Sequence, residues 1–196
     1  MTGDAFFPLV QTTLRAPRLA AAQIIGWQLG RDVLWTALGL VAVLNTFVVV
    51  LLVQMAQPDM PLPSYFNAPL VLYVLLAGTM VVYVHAIYWA GLAIGGEGSL
   101  GDVLALVVWL QVLRAVAQIG VLVLTVLVPS LALVLSLAIA VWGLWILLNF
   151  ITTALSLPTI GHAAAVLIIG AVGLVLGLGV MLSLIGLAAQ GVLSNV

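Results

Sequence analysis

The chain has 196 residues, 66% of them hydrophobic and 5% charged, with no cysteine and a net charge of -1; its mean hydropathy is +1.42. Soluble domains carry about 25% charged and about 45–50% apolar residues, so an ordinary soluble globule is excluded, as is disorder, which needs low hydrophobicity and high net charge. Four basic residues cannot neutralise a nucleic-acid backbone, and two histidines without cysteine supply neither a disulfide framework nor a Cys/His metal cage. No nucleic acid, metal or cofactor is expected.

Residues 1–32 hold five of the chain's charged residues, Asp4, Arg15, Arg18, Arg31 and Asp32. Pro17 suits the first position of a helix, where its missing N–H is an orphan donor anyway, and Leu19, Ile24, Ile25 and Trp27 give that helix an apolar side. The pattern predicts a short interfacial helix in a cytoplasmic N-terminal segment.

Residues 33–196 read as one transmembrane domain. A bilayer core of about 30 Å needs roughly 20 apolar residues per helix, and five such runs occur, at about 33–55, 68–93, 103–127, 131–151 and 163–187. They are too long for strands and do not alternate as outer-membrane barrel strands do. The fold class is therefore all-α: a polytopic membrane protein with five transmembrane helices after a short interfacial one. Three of the four basic residues precede the first run. The positive-inside rule then places the N-terminus in the cytoplasm and, after five spans, the C-terminus outside.

The third run contains Arg114, whose charge costs about 2.5–3.5 kcal/mol at a bilayer centre. Gln111, Arg114 and Gln118 share one helical stripe. Depth matching offers Asn45 in the first run, His85 in the second and Asn149 in the fourth as companions. Together they form a candidate cluster opening toward the cytoplasmic leaflet, where the Arg114 fork would take a lipid phosphate or carboxylate. The structural alternative is that Arg114 bonds carbonyl and amide groups and fixes helix packing. His85 alone reads as a packing residue. Glu97 and Asp102 form an acidic cytoplasmic start to the third helix, which the helix dipole favours, and no nucleophile or metal set accompanies them. An enzyme is not expected.

In the fifth run Gly170, Gly173 and Gly177 recur at i, i+3 and i+7 and include a GxxxG match, a helix-packing motif. The tryptophans lie mostly near span ends, as interfacial anchors do; Trp109, six residues into the third run, reads as deeper. Membrane lipids are the expected partners, followed by a second copy or another membrane protein. A lipid or solute path ranks lower, because the outer halves of the runs hold few polar residues beyond Thr46, Gln54, Thr79 and Thr125.

The order of features resembles the bacterial branch of the Yip1 family over essentially the whole chain. The resemblance rests on TLRAPRLAAAQII before the first span, on Gly95, Gly96, Gly98 and Asp102 at the start of the third, on the Gln111 to Arg114 stretch, and on Trp142, Trp145, Asn149 and Phe150. It implies five membrane helices, a cytoplasmic N-terminus and a bacterial inner-membrane location. Eukaryotic relatives are associated with Golgi and ER trafficking, Rab-type GTPases and hetero-oligomers. This sequence lacks their long polar N-terminal region, so the resemblance does not carry a GTPase contact over to it.

Overall fold

The computed structural model describes residues 5–56, 66 and 68–193, with the backbone alone for 55, 56 and 177–193. The elements in chain order are α1 (Phe6–Arg15), α2 (Pro17–Gly26), α3 (Arg31–Ala56), α4 (Pro69–Ala93), α5 (Leu100–Leu127), α6 (Pro129–Ala154) and α7 (Ile160–Leu193); among the described residues there is no strand. Proline sets three of the boundaries. The residue before a proline is sterically pushed out of the helical region, and Ala16, Ala68 and Val128, at φ -142°, -120° and -147°, all leave it while Pro17, Pro69 and Pro129 open the next helix. α5 starts instead at a capping box: Ser99 Oγ accepts from the Asp102 N–H at 3.1 Å, and Asp102 Oδ2 accepts from Ser99.

Two expectations change. The N-terminal segment forms two helices rather than one, because Pro17 breaks a helical run that already begins at Phe6. Among the described residues, four helices rather than five are long and apolar enough to cross a membrane: Arg31–Gln54, Pro69–Ala93, Leu100–Leu127 and Pro129–Ala154. The described apolar part of α7 is the shorter Ile160–Leu176.

Most of the burial lies toward one end of the bundle. Leu34, Leu38 and Ala42 of α3, Val84 and Ile87 of α4, Val103 to Val107 of α5, Ile146 and Phe150 of α6, and Ala163 and Val166 of α7 form one core. Leu9 of α1 and Ala20, Ala21 and Ile24 of α2 belong to it. The small residues on α2 let its backbone lie close to α6. At the other end Val123, Val126, Leu127, Leu131, Leu133 and Leu137 are exposed, which is unfavourable in water and satisfied in hydrocarbon.

The turns at the buried end interlock. The Glu97 N–H donates to the Leu155 carbonyl at 2.9 Å. Gly95 turns the chain at φ +87°, and a Cβ on Gly98 would run into the Ala154 carbonyl and lie 2.9 Å from Leu155 Cα. The glycine-rich stretch is therefore a backbone-to-backbone contact between the α4–α5 turn and the end of α6.

Candidate functional site

The N-terminal helices reach the bundle through three long-range hydrogen bonds. Trp109 Nε1 donates to Thr13 Oγ1 at 3.0 Å in a buried setting, and Trp142 Nε1 donates to the Leu14 carbonyl at 3.2 Å. Arg18 Nε donates to Asn149 Oδ1 at 3.0 Å. Asn149 is only 4% exposed and its Nδ2 donates to the Trp145 carbonyl at 2.8 Å, so its carbonyl oxygen is held facing α2. Arg18 is exposed. Bonding through Nε leaves both terminal nitrogens of the fork available to an anion.

These bonds align the tryptophans. Thr13 and Leu14 are adjacent, so Trp109 and Trp142 meet α1 side by side, with Trp145 against Trp142. Trp35 of α3 stacks on His85 of α4 at 6.0 Å, one turn from Trp89. From these residues to the far helix ends is 21 residues on α3 (Trp35 to Ala56), 20 on α4 (Trp89 to Pro69) and 18 on α5 (Trp109 to Leu127), about 27–32 Å, and 13 on α6 (Trp142 to Pro129), about 20 Å. Trp109 and Trp142 meet adjacent residues of α1; along the helices Trp109 lies nine residues into α5, against four into α3 for Trp35 and four from the end of α4 for Trp89.

The structure does not join the six residues of the predicted cluster: among the described residues no hydrogen bond links any two of them. Asn45, buried, donates from Nδ2 to the Val41 carbonyl of its own helix. His85 Nδ1 bonds the Val81 carbonyl. Asn149 takes Arg18 instead of Arg114. Arg114 is exposed on the outer surface of the bundle, and among the described residues it has no ion pair or hydrogen bond. Gln111 and Gln118 flank it half-buried, each with Oε1 enclosed and without a hydrogen-bond partner. Arg114 lies five residues past Trp109, about 7.5 Å along α5. The Cα–Cβ bond of a helical residue tilts toward the helix N-terminus, which is the direction of Trp109.

Of the acidic pair, Asp102 is engaged in the capping box and Glu97 is exposed. Gly170 packs on α4, where an added Cβ would lie 3.5 Å from the Ala86 carbonyl oxygen, whereas a Cβ on Gly173 would meet nothing within 4 Å. Gly177 lies outside the described side-chain surroundings. Sequence reasoning missed Arg18 as the partner of Asn149. The usable signal is the pair of arginines, Arg15 and Arg18, straddling Pro17.

An all-α bundle with four helices able to cross a bilayer, apolar on its outer surface and polar at one end, defines a multi-pass membrane protein. The Yip1 domain matches residues 12–185, and the chain belongs to that family. No curated protein and no solved structure matches the chain.

Proposed function

We propose that the chain is a non-enzymatic protein of the bacterial inner membrane that binds anionic lipid headgroups and organises the bilayer around it. The carrying observation is the Arg18–Asn149 bond. A buried amide one turn past Trp145 on α6 holds an exposed guanidinium, and tryptophans favour the membrane–water boundary. About 27–32 Å of helix beyond the tryptophans on α3, α4 and α5 fits the hydrocarbon core. Arg114 joins from the lipid-facing side by snorkelling back to the same boundary, which relieves the cost of a charge at the centre. Each arginine near an anionic surface is worth about 1 kcal/mol. The buried end is cytoplasmic, because Arg15, Arg18 and Arg31 cluster there. Helix α7, 34 residues long, is the fifth crossing and carries the C-terminus outside.

A transport path is disfavoured. Thr46, Thr79 and Thr125 each donate to the carbonyl four residues back in their own helix, so their hydroxyls do not line a continuous polar route.

The test is native mass spectrometry of protein released from nanodiscs of phosphatidylglycerol and phosphatidylcholine. Retained phosphatidylglycerol, reduced in Arg18→Gln and Arg114→Gln and in Asn149→Leu, is expected. Retention without charge preference, or unaffected by the three variants, would overturn the headgroup reading. A stoichiometric foreign subunit would replace it with an accessory role in a larger complex.

A further inference from the structure

Helix α1 divides into three sectors at about 100° per residue. Phe6, Leu9, Val10 and Thr13 share one arc and face the bundle, with Leu9 2% and Thr13 0% exposed. Phe7 and Leu14 lie together on the neighbouring line, seven residues apart, and are 73% and 44% exposed. Pro8, Gln11, Thr12 and Arg15 occupy the remaining arc; of these, Pro8, Gln11 and Arg15 are exposed. A helix held only by the bundle needs no second apolar line beside a polar one. A helix lying in the membrane boundary does: one flank on protein, one down into acyl chains, one up toward water. The Trp109 and Trp142 bonds hold α1 at that level.

We infer that α1, with α2 beside it, is a wedge in a single leaflet, and that the protein therefore favours membrane in which that leaflet is convex. The inference rests on the bilayer register proposed above. Each of the two helices has ten residues, about 15 Å long and about 10 Å wide, so their joint outline is about 300 Å², and the part not resting on the bundle through Leu9, Ala20, Ala21 and Ile24 is added to the leaflet. Among the described residues the opposite end carries no such pair. Extra area in one leaflet is accommodated when that leaflet curves outward, and interfacial amphipathic helices are sensitive to curvature for this reason. The occupant of the Phe7–Leu14 line is the acyl-chain region, since Gln11 and Arg15 border it on the water side as in a helix embedded at the boundary.

The test uses full-length protein in vesicles of phosphatidylcholine alone, where headgroup charge plays no part. Protein density per membrane area is measured vesicle by vesicle from about 50 to about 200 nm diameter; a fluorophore on a single introduced cysteine on the polar arc, Gln11→Cys, reports which side α1 occupies in every variant, and a separate Phe7→Cys label reports the surroundings of position 7. The chain has no other cysteine. Molecules with α1 outward should be severalfold denser in the smallest vesicles, molecules with α1 inward should not, and the exposed pair Phe7→Ser with Leu14→Ser should abolish the difference. The vesicles carry no anionic lipid, so this outcome is separate from that of the headgroup reading. Equal density at all diameters overturns the inference, as does a slope unchanged in the double variant. A water-exposed fluorophore at position 7 places α1 outside the bilayer and overturns it together with the register. A dimer lost in the double variant, with no dependence on diameter, would assign the line to a second copy instead.

Discussion

Replacing Thr13 by valine isolates the bond that docks α1. Thr13 is wholly buried; its hydroxyl accepts from Trp109 Nε1 at 3.0 Å and donates to the Leu9 carbonyl at 2.8 Å. Valine keeps the shape and removes the acceptor, leaving the indole N–H buried without a partner, a cost of about 1–3 kcal/mol. Because α1 is attached to the rest of the bundle mainly through α2, the loss should appear as local opening of α1 rather than global unfolding. The opening equilibrium should rise by about 5- to 150-fold. Hydrogen exchange of the 5–15 segment in nanodiscs reads that number directly, with exchange in α5 and α6 as the internal reference. Trp109→Phe removes the donor, while Thr13 still donates to Leu9; the two changes together should therefore cost less than their sum. Unchanged exchange in Thr13→Val, or costs that add within about 0.5 kcal/mol, would refute the assignment of α1 docking to this bond.

Other outcomes follow from the same geometry. Gly98→Ala should destabilise the protein by more than about 1 kcal/mol, because its Cβ meets backbone of Ala154 and Leu155 that cannot rotate away; thermal unfolding in mild detergent measures it. Gly173→Ala should leave monomer stability within about 0.5 kcal/mol, since open space surrounds that position, while Gly170→Leu should disrupt the contact with Ala86 and lower the midpoint in the same assay. Arg114→Leu should hardly change thermal stability, because the exposed guanidinium bonds no described residue, yet should weaken retention of phosphatidylglycerol; a large stability loss would return Arg114 to a packing role. Reporter fusions after position 61 and after Val196 should report the outside, and a fusion within Gly95–Gly101 the cytoplasm.

The sequence by itself determined the solvent, the helical class and most element boundaries. Lipid as solvent follows from composition, and the helix starts follow from local sterics and capping: Pro17, Pro69 and Pro129 displace the residues before them, and Ser99 with Asp102 caps α5. Position along a single helix was legible too, because the rise per residue is fixed, but the relative heights of different helices were not: Asn45 lies 11 residues from the far end of α3 and Asn149 20 from that of α6. Rotation about the helix axis was not legible. Whether a residue faces its own bundle or the lipid depends on which neighbouring helix fills the groove beside it, and that is a property of two helices rather than one. Tertiary packing alone turned Arg114 outward, left the oxygens of Gln111 and Gln118 enclosed, and brought Arg18 across 131 residues to Asn149. It also drew α1 and α2 into the core, since Leu9, Ala20, Ala21 and Ile24 gain burial only where α5 and α6 already stand side by side.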